Sequence, residues 1–149
     1  MIYHRFYSRL IVKFLNNRNR NMAGIFMLDH PYYPMTYHLR GSPNISQTLK
    51  SPAYHEFFSP KNEPKLIAWI SVKGYENQKE VLFLQQSIFQ QLANQRLVAS
   101  CQLFQDINIE DVANCIRNLQ LVPIIHYETP IDNGVKERTE FDDSSDEED

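Results

Sequence analysis

The sequence predicts an α/β fold, a small three-layer domain of order β-α-β-α-β with a C-terminal hairpin strand, set between extended or disordered flanks. Three observations predict it. Residues 66–72, 97–104 and 121–128 are short, mostly apolar runs rich in Ile, Val and Leu, bounded by Gly or Pro, or by Asn and Asp. The two stretches between them repeat apolar residues at helical spacing. Residues 22–64 lose the period and gain proline, and the two ends of the chain carry charge of one sign each.

A chain of 149 residues fits one domain, and the hydrophobic fraction of 42 % supports a core only if the flanks are left out of it. The net charge of −3 conceals an asymmetry. Residues 1–28 carry Arg5, Arg9, Lys13, Arg18 and Arg20 and no acid, whereas residues 128–149 carry a run of carboxylates against Lys136 and Arg138 alone. Arms of opposite sign on a balanced body point to interaction tails. The two cysteines, Cys101 and Cys115, sit among apolar neighbours, which reads as buried free thiols in a reducing compartment rather than a disulfide framework. No apolar run approaches the ~18–20 residues needed to cross a bilayer, and Lys13 interrupts the stretch that a secretory signal would need.

Residues 1–21 form the first unit. Tyr3, Tyr7, Leu10 and Phe14 share one helical face, while Arg5, Arg9 and Lys13 share the opposite one. A basic, acid-free amphipathic helix has three readings: a mitochondrial presequence, a segment that docks on an anionic membrane or a partner groove, or a leader ahead of a start at Met22.

Residues 22–64 read as an extended linker or docking segment. Residues 25–28 are apolar enough for a short strand. Pro31, Pro34, Pro43, Pro52, Pro60 and Pro64 then remove backbone donors at close intervals. Tyr32, Tyr33, Tyr37, Tyr54, Phe57 and Phe58 are too many aromatics for a spacer and are the candidate partner-binding anchors. Three Ser-Pro dipeptides make Ser42, Ser51 and Ser59 candidates for proline-directed phosphorylation, and each phosphate would add about −1.5 to −2 charges.

The domain, 65–141, begins with a strand over 66–72 that is apolar on both faces, the pattern of a parallel sheet covered by helices. Gly74 ends it. Val81, Leu84, Ile88 and Leu92 predict a helix over 76–96, with Gln85, Gln86, Gln90, Gln91 and Gln95 on its polar face. A single strand follows at 97–104 and is expected to run parallel to the first. Asn108 with Asp111 forms a box-like N-cap for a helix carrying Ile109, Val112, Ile116 and Leu119. The third strand spans 121–128 with Pro123 near its start. Asp132-Asn133-Gly134 then predicts a hairpin turn into an edge strand at 135–141. Residues 142–149 are an acidic disordered tail, in which Ser144 and Ser145 are candidates for acid-directed kinases.

This succession resembles the anticodon-binding domain of class II aminoacyl-tRNA synthetases and its relatives in polymerase gamma accessory subunits and nuclear receptor coactivators. The likeness lies in the strand at 66–72, the helix closing on Leu92, the strand at 97–104, the short helix ending near Leu119, the proline-led strand at 123–126 and the Asn133-Gly134 hairpin. It covers about half of the chain. The family's closing helix is replaced by the acidic tail and the synthetase catalytic domain is absent, so the resemblance implies a non-catalytic RNA- or protein-binding module and transfers no tRNA-reading residue. Residues 95–101 also look like the segment after the first helix of CutA-type ferredoxin-like domains. The hairpin which that family places before its second helix is not apparent in the sequence.

No catalytic, cofactor-binding or metal-ligating set emerges. His4, His30, His38, His55 and His126 show no metal-ligand spacing with one another or with cysteine. The four glycines build no phosphate-cradling loop. Cys101 with His126 is the one nucleophile–base pair to consider, and Lys73, Lys79 and Arg96 are too scattered for a nucleic-acid patch. The expectation is therefore a non-enzymatic adaptor subunit of a larger complex, without cofactor, nuclear or cytoplasmic, whose partners are proteins. The alternative is a mitochondrial RNA- or DNA-binding accessory factor. Membrane contact is expected only through residues 1–21.

Overall fold

The structure is a computed structural model that describes residues 20–58, 67–95, 98–100 and 102–128. The basic segment before Arg20, residues 59–66, Cys101, and everything after Glu128 lie outside the described residues. The expected helix at 1–21, the edge strand at 135–141 and the acidic tail therefore fall outside them as well.

The chain is an α/β fold, as expected. Strands β1 (Gly24–Asp29) and β2 (Thr36–Ser42) come first, followed by a short helix α1 (Ile45–Leu49) and a 3-10 helix η1 (Pro52–Phe57). Strand β3 (Ile67–Val72), helix α2 (Gln78–Ala93), strands β4 (Val98–Ser100) and β5 (Leu103–Gln105), helix α3 (Ile109–Arg117) and strand β6 (Pro123–Glu128) complete it. The six strands form one sheet in the order β4-β5-β2-β1-β3-β6.

Every neighbouring pair in that sheet is antiparallel, which corrects the expected parallel unit. The reason is topological. The β1–β2 hairpin inserts between β3 and β5, so each crossover helix passes over intervening strands instead of joining neighbours. Without that hairpin the order would be β6-β3-β5-β4, which is the split β-α-β arrangement. A second correction concerns residues 97–104. They form not one strand but the hairpin β4–β5, with Val98 paired to Phe104.

The largest correction concerns residues 22–64. Residues 22–58 are not a linker: they supply the two central strands and one whole layer. Each of the four prolines within residues 22–58 sits where no donor is needed. Pro31 and Pro34 lie in the β1–β2 loop, Pro43 lies between β2 and α1, and Pro52 takes the first position of η1. Strand β1 is buried on both sides because it has a layer on each. Ile25 and Met27 face the core with α2 and α3, while Phe26 and Leu28 face the core with α1 and η1. Strand β3 divides likewise, with Ala68, Ile70 and Val72 on one side and Trp69 on the other. The three expected layers are thus present, the third supplied by the segment that reads as a spacer.

Both long helices start in capping boxes. Asn77 exchanges hydrogen bonds with Glu80, and Asn108 with Asp111 as its spacing predicts. Two glutamines of the expected solvated face of α2 point inward instead. Gln85 Oε1 accepts from the Gly41 N–H at 2.9 Å, and Gln91 Nε2 donates to the Cys115 carbonyl at 3.0 Å. Strand β5 pairs β2 only over Thr36–His38, so Gln85 stands in for the missing strand at Gly41. No helix among the described residues is long and apolar enough to cross a membrane.

Candidate interaction surface

The register brings one set of chain ends together. Asp29 closes β1 opposite Tyr37, Gln105 ends β5 opposite Thr36, and β6 ends at Glu128 opposite Ile67. The β1–β2 loop, residues 30–35, projects from this end of the sheet. It exposes Tyr32, Tyr33 and Met35 by 56 %, 58 % and 60 %.

The loop is fixed from inside. His30 Nδ1 accepts from the backbone N–H groups of Tyr32 and Tyr33 at 3.1 and 3.3 Å, and the His30 N–H donates to the Thr36 carbonyl at 2.9 Å. The His30 ring lies 4.6 Å from the Tyr33 ring and meets Phe57 edge-on at 5.7 Å. Met35 adopts a left-handed φ of 57°, and its carbonyl accepts from the Asp106 N–H at 3.0 Å, which ties the loop to the end of β5. Two tyrosines and a methionine are thereby held out to solvent on a constrained stalk.

Behind the stalk lies a polar chain, buried at Tyr54 and partly exposed at His38 and Arg40. Arg40 Nη1 donates to the Tyr54 hydroxyl oxygen at 3.2 Å, and that hydroxyl lies 2.7 Å from His38 Nε2. Arginine only donates, so the Tyr54 oxygen accepts from Arg40, and its O–H donates onward where His38 Nε2 carries no proton. Burial first, then the charge of Arg40 and of nearby His30, brings the His38 pKa down to about 4. Burial raises the Tyr54 phenol despite Arg40. Tyr54 is buried and Phe26, Phe57 and His38 pack round it, so the group links η1 to β2.

The six aromatic candidates therefore separate. Tyr32 and Tyr33 are exposed. Tyr37 is half-buried beside the α2–α3 core, and burial, with the Asp29 and Asp106 carboxylates, raises its phenol. Tyr54, Phe57 and Phe58 are not available anchors: they fill the core beneath α1 and η1. Met35 and His30 were missed, since neither carries a signal until the hairpin is known.

The serines separate too. Ser42 is buried, its Oγ 2.6 Å from Thr48 Oγ1 and accepting from the Asn44 N–H, so the folded chain offers no free hydroxyl there. Ser51 is half-buried and donates to the Thr48 carbonyl at 2.8 Å. Ser59, Ser144 and Ser145 lie outside the described residues, as does Cys101. Its suggested partner His126 stacks on Trp69 at 5.2 Å and lies 3.1 Å from Ser71 Oγ, and burial lowers its pKa. Cys115 is buried and takes part in no disulfide among the described residues. Among the described residues no group of three His, Cys, Asp or Glu side chains converges on a metal position.

Comparison with known protein families, with curated proteins and with solved structures returns no match for this chain.

Proposed function

We propose that this chain is a non-enzymatic interaction module that engages a protein partner through the β1–β2 loop. One observation carries the reading: Tyr32, Tyr33 and Met35 are more than half exposed on a loop already locked by His30 and Asp106. Apolar side chains of this size are the usual anchors of interfaces, and presenting them pre-ordered removes part of the entropy lost on binding. The polar groups of the sheet support it from the other side. His38, Tyr54 and Arg40 satisfy one another on the outer side of β2, and His126 is held on the sheet by Trp69 and Ser71.

A photoactivatable phenylalanine analogue tests the reading. Placed at position 33 in the full chain in native cells, it should form one dominant protein adduct, and at the exposed position 86 of α2 it should not. Equal labelling from both positions would discard the reading. Nucleic acid is the poorer fit, because the carboxylates of Asp29 and Asp106 act on Tyr37, and that of Glu56 on His30, at the base of the loop. Binding of RNA that weakens steeply with salt and is lost with Tyr33→Ser would reverse that order.

A further inference from the structure

We propose that His30 is a proton-operated latch on the β1–β2 loop: the neutral ring holds Tyr32 and Tyr33 in place, and its protonation releases them and weakens binding there. This rests on the interaction reading above and names how that site is regulated.

Pro31 and Pro34 carry no N–H, so Tyr32 and Tyr33 own the only backbone donors from residue 31 to residue 34. Both donate to a single atom, His30 Nδ1, at 3.1 and 3.3 Å. An imidazole nitrogen accepts only while it is unprotonated, so this pair of bonds requires a neutral His30 with its proton on Nε2. The imidazolium carries a proton on each nitrogen, and no turn of the ring restores an acceptor. One protonation therefore removes both bonds and sets an N–H against two others.

The surroundings of the ring fix the direction of the effect. It packs against Tyr32 and Tyr33 at 5.8 and 4.6 Å and against Phe57 of η1 at 5.7 Å. Burial holds its pKa below the ordinary 6.5, against the Glu56 carboxylate on η1, which favours the proton. On β2, His38 is near enough that a charge on either ring disfavours one on the other, and Arg40 acts on His38 likewise. Asp29, the residue before His30, and Asp106, after β5, act on Tyr37. A ring held below its ordinary pKa takes up a proton more readily once the loop opens, so acid favours release as the pH falls below 6.5.

Release is local. The His30 N–H still donates to the Thr36 carbonyl at 2.9 Å, the Asp106 N–H to the Met35 carbonyl at 3.0 Å, and Thr36 Oγ1 to the Pro34 carbonyl at 3.1 Å. The feet of the loop stay pinned while the exposed tyrosines lose their fixed direction. Acid thereby withdraws the pre-ordering that lowers the entropy cost of binding.

Amide hydrogen exchange of the full chain, followed by NMR at about pH 7.5 and 5.5 and expressed as protection relative to unstructured peptides, reads the latch without a partner. Protection of the Tyr32 and Tyr33 amides should fall by up to about tenfold, the limit for a ring that titrates near its ordinary pKa once released. The Asp106 amide should keep its protection. His30→Asn places an oxygen that does not titrate where Nδ1 stands, and should stay protected at both pH values, whereas His30→Ala should be unprotected at both. Equal protection of the unaltered chain at the two pH values overturns the proposal. So does an equal fall in His30→Asn, which assigns the pH effect to another group. The photoactivatable residue at position 33, which keeps its backbone N–H, separates this proposal from the interaction reading. In lysate its adduct should weaken from about pH 7.5 to 5.5 and should persist in the His30→Asn chain. An adduct equally strong at both pH values overturns the regulation and leaves the interaction reading standing. No adduct at either pH defeats the interaction reading, and the exchange measurement then decides the latch by itself.

Discussion

His38 shows how one side chain links stability to pH. Its folded-state pKa of about 4 lies below the ordinary 6.5, so the folded chain holds the neutral ring while the unfolded chain takes up a proton. Stability is therefore full above about pH 6.5 and declines as the pH falls towards 4, by on the order of 3 kcal/mol for this group. His30 and His126, also lowered by burial, act in the same direction. Urea unfolding across that window should show the slope, and His38→Gln should flatten part of it while keeping an acceptor for Tyr54. An undiminished slope in that variant would remove His38 from the account. Glycines set a second constraint at this scale. A Cβ at Gly24 would fall on the Ile70 carbonyl oxygen, and one at Gly41 would lie 2.6 Å from Val81 Cγ1 and 3.2 Å from the Val81 carbonyl oxygen. Gly41→Ala should lower stability by about 1–3 kcal/mol by pushing α2 off the sheet, and Gly24→Ala should lower it more because backbone cannot yield. Neither glycine is informative in the sequence, since close approach exists only after the strands pair.

Helices were the most legible elements. The 3–4 spacing of Val81, Leu84, Ile88 and Leu92 locates α2, and Asn108 with Asp111 marks the start of α3, because both signals are local. Removing a cap should weaken its helix by about 1 kcal/mol, and Asn77→Ala and Asn108→Ala should add, as the two starts share no partner. A double variant much worse than the sum would show that the helices fail together. The strands were legible as apolar runs but not in their pairing. β2 in particular reads Thr-Tyr-His-Leu-Arg-Gly-Ser, too polar for a central strand, because its outward His38 and Arg40 are satisfied by Tyr54 on η1. That compensation is a tertiary fact. Prolines misled for the same reason: they count as breakers along the chain, yet Pro31, Pro34, Pro43 and Pro52 each occupy a loop or a helix start. At the interaction surface two of six aromatics are exposed, since an aromatic residue looks alike in sequence whether it anchors a partner or a core. Gln85 gives the element-scale prediction. Gln85→Ala strips the Gly41 N–H of its acceptor and should lower stability by about 1–3 kcal/mol, measured by urea denaturation.

The molecule as a whole depends on its N-terminal hairpin. Strand β3 pairs with β1 on one side, and β5 pairs with β2, so the region that the sequence marks as the domain lacks the middle of its own sheet. A fragment of residues 65–149 should therefore remain unfolded by circular dichroism and recover structure only when a peptide of residues 20–58 is supplied. A folded fragment would mean that β3 and β5 can close the sheet directly, in the narrower split β-α-β order. The full chain should unfold in one transition, because the two cores lie on opposite faces of the same strands and neither outlasts the sheet.

The position of that hairpin also decides what a ribosome exposes. β1 and β2, the innermost strands, are made first, and both of their outer edges stay open until residues 67–72 and 103–105 have followed. At roughly 5–20 residues per second that interval lasts seconds, during which a strand apolar on both faces is paired on one edge only. Nascent chains arrested before Leu103 should accordingly bind a hydrophobic dye such as ANS and recruit holding chaperones, and released full-length chains should do neither. Synthesis, more than the finished fold, is where this protein is exposed to aggregation.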